Sequence, residues 1–165
     1  MKNDQPRDDR YFMRATLREA ARAAKRGEVP VGAVVVRHGG IVARGSNRPI
    51  ASSDPTAHAE VVALRRAGRK LGNCRLTGCD LYVTVEPCAM CLGAAVQARV
   101  RRIVYGAPDP KAGAVASVME FPFRKLNHRP EILGGVMANE CADLLRGFFR
   151  LRRGRDPVQS RRIRL

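Results

Sequence analysis

Acidic residues are scarce in this sequence: 15 Asp and Glu stand against 31 Lys and Arg, giving a net charge of +16 and a pI near 11.1. That imbalance points to a polyanionic partner, nucleic acid first and a membrane surface second. Biased base composition alone would spread the charge, whereas the stretch from Arg146 to Leu165 gathers eight arginines around a single acid, Asp156. Long apolar runs are missing as well. None approaches the roughly 18 residues of a membrane helix, which excludes a helical span. Met1–Arg10 is polar, with no apolar segment behind it, so no secretory signal is expected. Cysteine is sparse and odd in number, five residues at positions 74, 79, 88, 91 and 141. A disulfide framework is therefore not expected, and reduced thiols in a cytoplasmic protein are. There is no internal repeat, so a solenoid is excluded.

What is present is the make-up of a globular domain, 45% hydrophobic and 28% charged, at a length able to bury a sizeable core. Residues 1–153 read as one domain and residues 154–165 as a basic tail, expected to be mobile until a partner binds. Phe12, Met13, Leu17, Ala20, Ala21 and Ala24 recur at helical spacing over residues 10–26, and Gly27 stops that helix. Val31–Val36 and Ile41–Ser46 flank Gly39-Gly40 as a hairpin. Residues 47–55 read as a loop held by two prolines, 57–71 as a second helix, and Leu81–Val85 as a third strand. Pro87 starts a third helix over 88–98, and Arg102–Tyr105 forms a fourth strand, so this unit is expected to be a right-handed parallel crossover. Residues 106–129, rich in Pro and Gly, read as a functional loop region. A short fifth strand over 131–136 and an amphipathic helix over 138–153 complete the chain. The fold class is α/β, a three-layer α/β/α sandwich: a mixed sheet of about five strands with helices on both faces.

Two short stretches carry the chemistry, Thr56-Ala57-His58-Ala59-Glu60 and Glu86-Pro87-Cys88-Ala89-Met90-Cys91. One imidazole and two thiols form a borderline-soft donor set that suits Zn²⁺, and three protein ligands leave one tetrahedral position open, as in a catalytic site. Cys88 and Cys91, at i and i+3, face the same way at a helix start, where the dipole favours thiolates. Glu60 is the candidate base for a water at the open position. His58 and Glu60 would stand about 200° apart on an ideal helix, so they can share one site only at an irregular first turn. Other readings of the thiols are a redox pair or half of a structural zinc site. A four-thiolate cage with Cys74 and Cys79 would have to include a whole strand between Cys79 and Cys88. His38 reads as a solvated turn residue and Cys141 as a core thiol.

The His-x-Glu…Pro-Cys-x-x-Cys pattern matches the signature of zinc-dependent nucleobase deaminases. Further stretches narrow it: Val29-Pro30-Val31-Gly32-Ala33-Val34, Asn47-Arg48-Pro49-Ile50, Asp54-Pro55-Thr56, Leu81-Tyr82-Val83-Thr84-Val85 and Phe148-Phe149-Arg150. Over residues 10–153 the chain resembles the bacterial tRNA-specific adenosine deaminases of the cytidine deaminase-like superfamily. The resemblance implies the sandwich fold, one Zn²⁺ per chain on His58, Cys88 and Cys91, and Glu60 as the catalytic acid/base. It implies conversion of the wobble adenosine of a tRNA anticodon to inosine with release of ammonia. It further implies that Asn47 bonds the flipped-out purine, with the Ala59 backbone amide beside it and Val31 and Pro87 as pocket walls. Asp109, Lys111, Asn127, Phe149, Arg150 and Arg153 match positions that hold the anticodon stem-loop, and a homodimer is implied. Pro108 and Pro110 around Asp109, and the apolar Phe121-Pro122-Phe123, depart from the family pattern. Two rivals remain at this stage: a free-base or nucleotide deaminase of the same fold acting on guanine or cytosine, and a non-catalytic zinc-stabilised RNA-binding module. The basic charge counts against the first, and Glu60 against the second.

Overall fold

The computed structural model describes residues 8–155. Its elements in chain order are α1 (Asp9–Lys25), β1 (Gly32–Arg37), β2 (Gly40–Ser46), α2 (Pro49–Ser52), α3 (Ala59–Leu71), β3 (Cys79–Val85), α4 (Ala89–Gln97), β4 (Arg102–Ala107), β5 (Glu131–Leu133) and α5 (Ala138–Arg155), with a single 3₁₀ turn at Phe123–Lys125. The alternation of apolar side chains along the strands dictates how these stack. In β1, Ala33 and Val35 belong to one apolar cluster while Val34 and Val36 belong to the other. β3 is buried at all seven positions, with Leu81, Val83 and Val85 in the first cluster and Tyr82 in the second. Strands buried on both faces require a helical layer on each. Ala59, Ala63, Leu64 and Ala67 of α3 and Leu92 and Ala95 of α4 cover one face. Phe12, Met13 and Ala15 of α1 and Cys141 of α5 cover the other.

The sheet runs β2-β1-β3-β4-β5. β1 pairs antiparallel with β2 and with β3, whereas β3, β4 and β5 are parallel, so α4 is the crossover between β3 and β4. This is the mixed five-stranded sandwich read from the sequence. Because the parallel strands share a direction, the turns leaving β3 and β4 emerge at the same end of the sheet. Gly45 fixes how close α3 lies: a Cβ there would run into the Ala59 carbonyl oxygen, so the start of α3 rests directly on β2.

Local differences from the sequence reading have local causes. The stretch 47–55 contains the one-turn helix α2, for which Pro49 at the first position is already in the right backbone conformation. β3 begins two residues early because Asp80 is anchored by Arg101, through Nε at 2.9 Å and Nη2 at 2.7 Å. β5 stops at Leu133, since Gly134 lies against the Tyr105 ring and Gly135 takes φ +86°. α5 continues to Arg155. The tail read from Gly154 onward lies, from Asp156, outside the described residues.

Candidate metal centre

Both metal-binding stretches arrive at helix starts. His58 is the N-cap of α3 with φ −66° and ψ 152°, and Cys88 is the N-cap of α4 with φ −75° and ψ 169°. Neither side chain caps its own helix, which leaves both able to turn towards a shared point. His58 Nδ1 lies 3.7 Å from Cys88 Sγ and 3.6 Å from Cys91 Sγ, and the three donor atoms all fall within 4.8 Å of one another. Zinc bonds of about 2.05 Å to nitrogen and 2.3 Å to sulfur, meeting at a tetrahedral angle, would hold N and S about 3.6 Å apart. Both nitrogen–sulfur separations thus match the edges of a zinc tetrahedron. Among the described residues no other cluster of His, Cys, Asp and Glu has this form. The extended backbone of His58 also removes the angular conflict with Glu60, because the imidazole precedes the helix and is not bound to its regular angular step.

Glu60 is 2% exposed, and its Oε2 has no hydrogen-bond partner. An orphaned buried carboxylate oxygen is costly, and beside three convergent donors it marks a ligand position. Burial pushes its pKa up, and the positive charge of His58 opposes that only in part. The Cys88 thiol is drawn down to about 4, first by a hydrogen bond from Cys91 and then by one from His58, against the effect of burial. Cys91 is pushed up because it donates to Cys88 and is buried. A divalent cation among them would reverse that second direction, since a coordinating thiol is deprotonated outright. The four-thiolate alternative fails: Cys79 opens β3, roughly 20 Å of strand away from the Cys88 end, and Cys74 is exposed. Cys141 is buried in the core, and His38 is an exposed turn residue at φ 49°.

Three residues expected around a purine are tied together. Asn47 N–H donates to the Val31 carbonyl at 3.0 Å, and Ala59 N–H donates to Asn47 Oδ1 at 3.0 Å. The Ala59 amide is therefore engaged by Asn47, and Asn47 presents its Nδ2 group. Pro87 is buried, and its carbonyl accepts from Ala114 N–H at 2.9 Å. Next to Val31 and Val85 opens a cleft of about 450 Å³ whose walls include Asp109, Lys111, Phe149 and Arg153. Lys111 Nζ stands 5.9 Å from the centre of the Phe149 ring. Arg150 is exposed on α5, next in sequence to Phe149 but not among the residues that line this cleft. Asn127 lies elsewhere: its carbonyl accepts from Arg99 Nη1 at 3.2 Å, at the far end of α4 from Cys88, about 13 Å of helix away.

Sequence reasoning missed Glu86. It is 2% exposed and accepts from the backbone N–H groups of Val115, Ala116 and Ser117 at 2.9, 2.8 and 3.0 Å and of Asp109 at 3.1 Å, and from the Ser117 hydroxyl. A Cβ on Gly113 would collide with its carboxyl group. Burial works to raise its pKa, but these hydrogen bonds, that from Ser117 foremost, hold it at about 2. One carboxylate thus sets the path of the segment carrying Asp109 and Lys111. The only hint in the sequence is an acid directly after an apolar strand.

A family described as "Cytidine and deoxycytidylate deaminase zinc-binding region" matches residues 6–107, which include all three metal donors and Glu60. The chain is 49% identical over 144 residues to the tRNA-specific adenosine deaminase of Agrobacterium fabrum, covering 87% of this chain and 95% of that protein. A solved structure from a study of A-to-I editing by tRNA:A34 deaminases at the wobble position of transfer RNA superposes with a TM-score of 0.77 at 46% identity, over 82% of this chain and 99% of the other. A guanine deaminase from Nitrosomonas europaea shares the fold with a TM-score of 0.73 at 26% identity, over 88% of each chain.

Proposed function

Since the chain belongs to the cytidine and deoxycytidylate deaminase zinc-binding family, and within it to the tRNA-specific adenosine deaminases, we propose that it hydrolyses the 6-amino group of the wobble adenosine in a tRNA anticodon, leaving inosine. The observation that carries this reading is the buried Glu60 carboxylate, whose Oε2 has no hydrogen-bond partner, beside three donors that could hold one metal ion. His58, Cys88 and Cys91 would hold the Zn²⁺, which when bound would supply Lewis-acid activation of water at neutral pH.

The remaining steps fall to the chain itself. Glu60 takes a proton from the attacking water as its oxygen adds to C6 of adenine, and passes that proton to ring N1. It then takes the second proton of the added oxygen and delivers it to the amino group. The C6–N bond breaks and ammonia leaves. The burial of Glu60 suits this double duty, because a proton it accepts is shielded from bulk water until the leaving group needs it. Asn47, fixed through Oδ1, offers Nδ2 to the purine, and Val31 and Pro87 flank the ring. Asp109, Lys111, Phe149, Arg150 and Arg153 receive the unpaired anticodon bases and their phosphates, a task for which arginine forks and an aromatic face are suited. Asn127 serves the same loop from a second chain in a homodimer packed through α4, whose Met90 and Ala94 remain partly exposed. A tRNA substrate implies a cytoplasmic location, and among the described residues no helix is long and apolar enough to cross a membrane.

The test is Glu60→Gln. Zinc content should stay near one per chain while deamination falls by about a thousandfold or more. Loss of the metal from this variant would show that Glu60 is a ligand and not the acid/base.

A further inference from the structure

Six cations gather on the outer side of α3 and the neighbouring β2 and α2, outside every residue given a role above: Arg44, Arg48, Arg65, Arg66, Arg69 and Lys70. Four of them, Arg48, Arg65, Arg66 and Arg69, border one concavity of about 220 Å³. Arg65 and Arg69 are i,i+4 neighbours and Arg66 and Arg69 are i,i+3 neighbours, spacings at which like charges repel along a helix. The single carboxylate on the concavity is Asp54. It already accepts from Thr56 N–H at 2.8 Å and Thr56 Oγ1 at 2.7 Å, and it lies 3.4 Å from Arg65. Arg66 donates one bond to the Arg44 carbonyl at 2.9 Å, which orients its guanidinium without neutralising it. The hollow therefore carries an uncompensated positive charge, in a space ample enough to admit a phosphate group with its ester oxygens.

Its position gives that charge a use. Ala57 forms part of the wall and directly precedes His58, and Arg48 directly follows Asn47. The hydrogen bond from Arg48 N–H to the Ala57 carbonyl, 3.1 Å, ties the two together. The concavity thus adjoins His58 and Asn47 through Ala57 and Arg48, while the cleft of Asp109, Lys111 and Phe149 reaches the same neighbourhood through Val31, whose carbonyl accepts from Asn47 N–H. A strand that delivers one base to the centre must continue in both directions from it.

We propose that Arg48, Arg65, Arg66 and Arg69 form a phosphodiester-binding pocket that holds the backbone of the substrate strand on the side of the metal centre away from α5. The ligand class is a nucleic-acid phosphate, bound through forked guanidinium hydrogen bonds with no reading of sequence. This rests on the tRNA reading above.

The test is the double variant Arg66→Ala/Arg69→Ala beside a charge-matched control, Arg14→Ala/Arg18→Ala, which removes two exposed cations from α1 on the opposite face of the sheet. Binding of a wobble-adenosine stem-loop is measured at several salt concentrations, inosine formation is followed on the same RNA, and circular dichroism confirms folding. The α3 variant should bind about tenfold or more weakly at moderate salt. Its plot of log K against log salt should be shallower than wild type by about 0.7 to 0.9 for each phosphate that is no longer neutralised, while the α1 control keeps the wild-type slope. Equal weakening in both variants, or an unchanged slope in the α3 variant, would overturn the pocket even if wild type makes inosine normally. Wild type that binds RNA through these arginines but makes no inosine would overturn the reaction and leave the pocket standing. No RNA binding by wild type would overturn both.

Discussion

His58, Glu60, Cys88 and Cys91 announce themselves in the sequence because their chemistry requires short, fixed spacings at two helix starts. Glu86 does not, because its partners are backbone amides 23 to 31 residues away, and a backbone amide has no identity in a sequence. Asn47 lies between these cases: its presence was legible, but not its bond to Ala59, which only the folded proximity of β2 and α3 creates. Glu86→Gln tests this hidden role. An amide offers one acceptor where the carboxylate has two, and its NH₂ group would face donors. The variant should be less stable by about 2 kcal/mol or more. The sign of the pH dependence follows from a carboxylate whose pKa falls from 4.5 to about 2 on folding. Its contribution is present above pH 4.5 and is lost as pH falls towards 2. Thermal melts of wild type and variant should therefore converge over that window, and a gap that stays constant down to its acid end would contradict the role.

At the scale of elements, hydrophobic period and the Gly and Pro punctuation located every helix of nine residues or more and every strand. They were blind to α2, a single turn too short to show a period, and they overran β5, whose end is set by the packing of Gly134 on Tyr105. The crossover by α4 was legible in the order of strand, helix and strand, and the parallel pairing of β3 with β4 bears it out. The seating of α3 on β2 through Gly45, which brings the start of α3 to that of α4, was not, because it depends on a contact that is not local. Helix α4 is short, with Leu92 and Ala95 on the core and Met90 and Ala94 less covered. A second copy packed on that side would bury both. Light scattering at micromolar concentration should return twice the 18.1 kDa chain mass. A monomer would remove the partner chain from the account and leave Asn127 without a part in it.

Over the whole molecule, affinity and chemistry sit on different surfaces. The groups of the metal centre lie between two helix starts, Glu60 and Cys91 buried and His58 and Cys88 half-buried, whereas exposed arginines stand on the outer sides of α3 and α5, part of a net charge of +16. The fold alone does not choose the substrate, since a guanine deaminase shares it with a TM-score of 0.73. The basic flanks on either side of the metal centre favour a strand over a free base. The most direct measurement is to incubate the zinc-loaded protein with a tRNA bearing a wobble adenosine, with free adenosine and free guanine in parallel, and to read inosine by sequencing and ammonia by assay. Inosine at the wobble position alone, with the free compounds untouched on the same timescale, is the predicted result. An unedited anticodon, or a free base deaminated as fast as the tRNA, would contradict it.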